Sequence, residues 1–433
     1  MFLDLPVGIL LLMVVELISA AVGLWMLLWV RKLWRDRPSL ILLLLNNLGL
    51  LIWFWSAFLI LYEWSVALDD YSLGMVLWLI AGAVGFWLLL RQRGQWRGQP
   101  KKLNWVNAGL SLWMGLALLT CVELYFAIFY DTSDSFNMTN VSRKWFKLHV
   151  EPQKHRFEIR PGEGLMIRDD RDYPTQLSKD QRHLVFFGDS FTFAQGVPEV
   201  RDRFSNRVRA ALEPASDGRV VVSNLSDAGT DLHWVEAVMK ALFENGHRVD
   251  TAVYVLCLND IETFHERHRT YYQDLSKHSP TFFLFRDTYF FNWVYFRVKQ
   301  ATLKDVRGYF SFVQEYYSGE PWEKMSRKLD QMQTLCAAHG TDFRIVVFPF
   351  LHNLGSEYPF REAHQKIVEH CRSRNIPVLD LEPELTPFAA KGLTVNRFDA
   401  HPNELAHRLA AEAMLRELLR DFSANGNPRP NGS

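Results

Sequence analysis

Cysteine is scarce in this chain, with four in 433 residues: Cys121, Cys257, Cys336 and Cys371. No two form a CxxC pair, and each sits in an apolar or helix-like run. That argues against a disulfide framework or a thiolate zinc site, and leaves four buried small apolar side chains as the expectation. An excess of charge of one sign is missing too. Lys+Arg and Asp+Glu both number 48, so no basic field exists to hold nucleic acid, and no nucleic-acid motif is present. There is no phosphate loop of the Walker type, no internal repeat, and nothing that calls for a metal or redox cofactor. No basic segment precedes the first apolar run, and no small-residue cleavage site precedes its basic flank. The N-terminus therefore reads as a retained span rather than a signal peptide.

Apolar and aromatic residues are plentiful: 48% are hydrophobic, with 15 Trp and 31 Phe, enough for a large core and against disorder. The chain reads as two unlike parts. Four apolar stretches run from Leu5 to Val30, Leu40 to Tyr62, Ser72 to Leu90 and Trp105 to Tyr130. Each has the roughly 20 residues a helix needs to cross a bilayer core. Arg31, Lys32, Arg35 and Arg37 lie between the first two. Arg91, Arg93, Arg97, Lys101 and Lys102 lie between the last two, and the middle loop holds Glu63, Asp69 and Asp70. Basic short loops stay in the cytoplasm, so everything after Tyr130 is expected outside. Glu16 and Glu123 lie within spans, where a carboxylate is costly and marks a pairing or functional position. Residues 1–130 thus read as a four-helix transmembrane anchor.

Residues 131–182 read as a polar, β-rich extracytoplasmic connector, with alternating patches at Arg143–Val150 and Arg156–Ile159. It ends near the turn Pro161-Gly162-Glu163-Gly164. Asn137-Met-Thr and Asn140-Val-Ser match the glycosylation acceptor pattern, which has meaning only in a eukaryotic secretory setting. From 183 to 421 short apolar runs alternate with amphipathic helical patterns. Strands are expected at His183–Phe187, Arg219–Asn224, Thr251–Leu258, Phe343–Phe348 and Ile376–Leu381. Helices are expected at Arg201–Leu212, Leu232–Asn245, Trp322–Ala338, Arg361–Arg374 and Glu404–Leu419. Such alternation implies βαβ units, hence an α/β domain whose parallel sheet has helices on both faces. An aromatic-rich insertion at 262–320 interrupts it; a lid, a binding loop, an interface and extra core packing all fit that composition. The tail 422–433 is rich in Asn, Gly and Pro and reads as disordered.

In an open parallel sheet, reactive groups gather at the carboxyl ends of the strands. Those ends carry Gly188-Asp189-Ser190, Ser226-Asp227-Ala228-Gly229 and Cys257-Leu258-Asn259-Asp260. A loop after the last strand carries Asp399-Ala400-His401-Pro402-Asn403. These four blocks, in this order, resemble the SGNH superfamily of GDSL-type esterases, lipases and acyltransferases, over about Leu184 to Leu419. The resemblance implies a flavodoxin-like three-layer sandwich. It places the nucleophile at Ser190, with its partners at His401 and Asp399, and the oxyanion donors at Ser190, Gly229 and Asn259. Two features depart from the family pattern: Cys257 stands where Gly is usual, and Asp-x-His replaces the frequent Asp-x-x-His.

The chemistry can be stated independently. A serine hydroxyl needs a base to take its proton, and imidazole titrates near neutrality. A carboxylate on the same loop holds the ring tautomer and stabilises the imidazolium. Asp189 reads as a structural hydrogen-bonding residue, and His183, His233, His352 and His407 as surface or helix-face residues. The expectation is an inner-membrane, multi-pass serine esterase with its catalytic domain on the periplasmic side, removing O-acyl groups from an envelope glycan or lipid. Two alternatives stay open. One is an O-acetyltransferase for a cell-surface polysaccharide, with a membrane partner supplying the acyl group. The other is a non-catalytic envelope-assembly protein.

Overall fold

The computed structural model describes residues 121–423 apart from 161, 266–276 and 304–307, with scattered positions between 87 and 119 before them. The chain divides into two compact units, Met1–Phe129 and Tyr130–Ser433. The four expected spans lie outside the described residues, except for Trp87 and for scattered positions and the C-terminal end of the fourth. Among the described residues, no helix is long and apolar enough to cross a membrane. Cys121, expected buried, is exposed, whereas Cys257, Cys336 and Cys371 are buried and free.

The second unit begins with the connector. Its stretch Asn140–Trp145 is helical and continues as a π-turn, Phe146–Val150, rather than alternating as a strand. The Thr139 hydroxyl caps the helix by accepting the Ser142 N–H, and Val141 and Trp145 bury one helical face at a spacing of four. That local cap and apolar stripe outweigh the two-residue alternation. An antiparallel hairpin follows, β1 (Lys154–Arg160) and β2 (Glu163–Arg168). The expected turn therefore lies inside this hairpin and not at the connector's end. Asn140 does not present its amide to solvent chemistry: its Nδ2 donates to the carbonyls of Arg286 and Thr288 at 2.7 and 2.8 Å.

The core sheet contains β3 (Arg182–Gly188), β4 (Val220–Ser226), β5 (Thr251–Cys257), β6 (Asp342–Phe348) and β7 (Val378–Asp380). All pair in parallel, in the order β4-β3-β5-β6-β7. Counted from β3, this is the 2-1-3-4-5 order of flavodoxin-like sheets. Every residue of β4 and β5 is buried, as expected of strands covered on both faces and rich in Val and Leu. Right-handed crossovers fix the layers. The helix Phe204–Ala215 lies on one face and packs against the closing helix Glu404–Ala413. Leu232–Glu244, Glu320–Ala338 and Arg361–Ser373 cover the other. The closing helix is shorter than the sequence suggests, because Met414–Leu418 winds on as a π-turn. A small antiparallel pair, β8 (Thr394–Asn396) and β9 (Asp399–Pro402), stands outside the main sheet.

The aromatic insertion forms the helices Phe290–Thr302 and Tyr309–Tyr316. Its Phe296 builds a separate small core with Met138 of the connector, flanked by Phe136, Tyr295 and Leu303. Trp293 meets Phe398 edge to face at 5.3 Å, so this insertion packs against the segment that leads into β9.

Candidate active site

Ser190 sits where β3 gives way to a single helical turn, Ser190–Phe193. Two constraints make the bend sharp. The Asp189 carboxylate caps the turn, accepting the Phe191 N–H at 2.9 Å, so this residue is structural, as its position suggested. Ala194 closes the turn in the left-handed region at φ 64°, a conformation that costs a non-glycine residue energy and needs surrounding support. Gly188 is required for space. A Cβ there would clash with the Thr192 side chain and come within 2.8 Å of the Val255 carbonyl oxygen on the neighbouring strand.

His401 and Asp399 arrive on β9, two residues apart. Alternate residues of a strand face the same side, so the Asp-x-His spacing brings both side chains to one face. The His401 Nε2 lies 2.8 Å from the Ser190 Oγ. Its Nδ1 lies 2.5 Å from the Asp399 Oδ1, which also accepts the His401 backbone N–H at 3.1 Å. Asp399 is fully buried, His401 nearly so, and Ser190 retains a little access. The Phe191 ring packs 5.4 Å from the imidazole. Burial by itself would lower the imidazole pKa. The adjacent Asp399 carboxylate, with help from Asp189 and Asp134, reverses the sign and raises it above 6.5. Burial pushes the Asp189 carboxyl up.

The three expected oxyanion donors converge less directly. The Asn259 Nδ2 is 3.4 Å from the Asp189 Oδ2, which places the amide beside the serine turn. Gly229 has φ +78°, and a Cβ built there meets nothing within 4 Å. Its glycine is thus explained by backbone conformation, and the space before it is open. The neighbouring Thr230 hydroxyl is 3.5 Å from the Gly188 carbonyl oxygen, which ties this loop to the end of β3. Among the described residues the N–H groups of Ser190 and Gly229 make no hydrogen bond to another backbone group. The substitution of Cys257 for the usual Gly is absorbed by the core: the side chain is fully buried, and burial raises its thiol well above 9.0.

Several residues of this site are absent from the sequence reading. The Ser133 hydroxyl donates to the Asp399 Oδ2. The Ser135 hydroxyl accepts the Ala400 N–H at 2.9 Å, and the Asn396 amide donates to the Thr132 hydroxyl at 2.7 Å. The segment 132–135 is therefore a strap across the catalytic hairpin. Arg168, at the end of β2, donates to the carbonyls of Ala194, Val197 and Pro198 at 2.6–2.9 Å, bracing the chain just past the serine turn. None of these has a local sequence signal, since each is a lone polar residue far from its partner. Of the histidines read as surface or helix-face residues, His183 is buried within β3, whereas His407 lies on the buried face of the helix Glu404–Ala413; burial, aided by the nearby Arg203, holds His407 neutral with a pKa of about 3. Among the described residues no group of three or more His, Cys, Asp or Glu is arranged to hold a metal ion.

The arrangement defines an α/β protein with a Ser–His–Asp relay at the carboxyl edge of its sheet. No family model matches the chain, and no curated protein matches it. Solved structures do resemble it. A member of the lipolytic protein G-D-S-L family from Veillonella parvula DSM 2008 is 16% identical, over 55% of this chain and 99% of that one, with a TM-score of 0.34. An acetylxylan esterase from Geobacillus stearothermophilus, solved as a catalytic mutant, is 12% identical over 57% and 97%, at 0.36. A two-domain esterase active on acetylated mannans is 13% identical over 58% and 52%, at 0.34.

Proposed function

We propose that this protein is a serine esterase that removes O-acyl groups, O-acetyl foremost, through an acyl-serine intermediate. One observation carries the reading: Asp399, His401 and Ser190 form a continuous buried relay with contacts of 2.5 and 2.8 Å. In the proposed reaction His401 takes the Ser190 proton as the Oγ attacks the ester carbonyl. Asp399 stabilises the resulting imidazolium. The N–H groups of Ser190 and Gly229 and the Asn259 amide receive the developing oxyanion. His401 then returns the proton to the departing alcohol, and water repeats the sequence on the acyl-serine.

The substrate proposed is an acylated envelope glycan or lipid, reached from the periplasmic face of the inner membrane. The loop charges support that setting. So do the exposed apolar side chains before Tyr130, which include Met114, Leu118, Leu119, Tyr125, Ile128 and Phe129.

Covalent labelling with a fluorophosphonate probe tests the reading. Wild-type protein is expected to label and Ser190→Ala to lose the label. Asn259→Ala is expected to slow turnover by ~10²–10³ while sparing labelling more than Ser190→Ala does. A wild-type protein that takes no label, and releases no acetate from an acetyl-ester chromogen, refutes it.

A further inference from the structure

The two loops that carry Gly229 and Asn259 both run on into a basic cavity that the relay does not use. It is a shallow depression open to solvent, with a volume of about 400 Å³, lined by His233, Thr263, Phe264, Lys324, Arg327, Lys328 and Gln331. Its place in the fold is fixed by topology. Helices that follow parallel strands begin at the carboxyl edge of the sheet. His233 lies in the first turn of Leu232–Glu244 and Lys324 early in Glu320–Ala338, so the cavity opens on the same edge as Ser190. The 3₁₀ turn Leu258–Phe264 packs against both helices. Asn259 stands near its start and Thr263 and Phe264 at its end. At about 2 Å of rise per residue, Asn259 and Thr263 are roughly 8 Å apart along that turn. The Thr263 hydroxyl donates to the Asp231 Oδ2 at 2.8 Å, which joins the Asn259 turn to the Gly229 loop.

Among the described residues the lining has no acidic side chain. Lys324, Arg327, Lys328 and Gln331 recur at the three- and four-residue spacing of one helical face. Lys324 pairs with Glu320 and Lys328 with Glu236, outside the cavity. Arg327 is exposed and makes no ion pair or hydrogen bond among the described residues. An unpaired guanidinium beside a side-chain amide is suited to bidentate capture of an oxyanion. The His233 and Phe264 rings, 5.2 Å apart, add an apolar wall against which a sugar face can rest.

We infer that this cavity is a subsite for an anionic sugar next to the acylated one, its charge on a carboxylate or phosphate held by Arg327. The inference rests on the serine-esterase reading for its link to turnover, but the binding step can be measured alone. Calorimetry on the full-length chain should show trigalacturonate or a sugar phosphate binding and neutral xylotriose not doing so; which charged probe binds more tightly identifies the anion. Arg327→Ala should weaken the charged probe about tenfold, with Arg327→Lys between. In the same variant the KM for O-acetylated polygalacturonate should rise about tenfold if the carboxylate is the ligand, while turnover of 4-nitrophenyl acetate is unchanged. Equal binding of charged and neutral trisaccharides, or unchanged binding in Arg327→Ala, overturns the subsite. Intact anion binding by a protein that neither labels nor hydrolyses 4-nitrophenyl acetate upholds the subsite and refutes the esterase instead.

Discussion

Removing the Ser133 hydroxyl is the most discriminating perturbation of the relay. Asp399 is fully buried. Its Oδ1 receives two donors from His401, but its Oδ2 receives only the Ser133 hydroxyl among the described residues. Ser133→Ala therefore leaves one oxygen of a buried carboxylate without its donor. A hydrogen bond to a charged group contributes about 1.5–3 kcal/mol. Asp399 must keep its charge while His401 becomes cationic, so most of that loss is expected in the transition state. At 1.4 kcal/mol per tenfold, kcat/KM should fall roughly 10- to 100-fold.

The pH profile separates this effect from simple damage to the fold. Without that donor the carboxylate is held less firmly against the His401 Nδ1 and stabilises the imidazolium less, so the acid limb of kcat/KM should move to lower pH in Ser133→Ala. Partial unfolding would lower the count of fluorophosphonate-titratable sites and leave the limb where it was. The measurement is kcat/KM for an acetyl-ester chromogen between pH 5 and pH 9, normalised to titrated sites. Normalised activity within about twofold of wild type, with an unmoved limb, would refute the positioning role, since it would correspond to less than about 0.5 kcal/mol.

The remaining expectations concern the base, the bend and the brace. In the wild type, His401 acts as a base only when neutral, and its pKa is raised above 6.5 chiefly by Asp399 acting against burial. Activity should therefore climb with pH through a limb above 6.5, and Asp399→Asn should move that limb down while lowering kcat by on the order of 10³–10⁴. Gly188→Ala forces a Cβ against Thr192 and the fixed Val255 carbonyl; thermal or denaturant unfolding should show a loss of about 1–3 kcal/mol, and an unchanged midpoint would contradict the packing. Arg203→Ala takes one of two guanidiniums from the buried Asp169, which keeps Arg209 at 2.8 Å and the Tyr173 hydroxyl; unfolding should show a loss of about 1.5–3 kcal/mol. Burial tends to raise Asp169, but Arg203 and its other partners depress it overall. The stabilisation from Asp169 is thus present above its unfolded pKa of about 3.9 and fades as pH falls below it, so the penalty of Arg203→Ala should shrink in acid.

What was legible in the sequence was whatever has a local signature. The strands β3 to β6 announced themselves because burial on both faces demands unbroken apolar runs, and their ends then pointed to Ser190, Gly229 and Asn259. The hairpin β8–β9 did not, because Asp399-Ala-His-Pro has no β-branched residue and pairs over only a few positions. The pattern reads Asp399 and His401 as a loop, whereas they lie on a strand, and the strand is what makes their short spacing effective. Arg143–Val150 misled in the other direction, since the Thr139 cap that decides its helix is a single side chain. Ser133, Arg168 and Arg297 carry no local pattern. Their roles depend on chain closure across tens to hundreds of residues, which periodicity cannot register.

Those long-range residues share a physical purpose. The base and its orienting acid stand on a two-stranded ribbon outside the main sheet, and an isolated ribbon of that size is at best marginally stable in water. Its position must be imposed by its surroundings, because misplacement of a catalytic group by about 1 Å can cost ~10² in rate. The strap 132–135 supplies hydrogen bonds. The insertion adds apolar and ionic contacts: Trp293 packs on Phe398, and the Arg297 guanidinium lies 4.5 Å over the same ring and 3.8 Å from Asp134. Asp134 in turn accepts the N–H groups of Phe136, Met138 and Thr139 at 3.1–3.2 Å, which fixes the strap itself. The connector and the insertion thus pack together on the catalytic hairpin, and the geometry at Ser190 depends on segments that contribute no reacting atom.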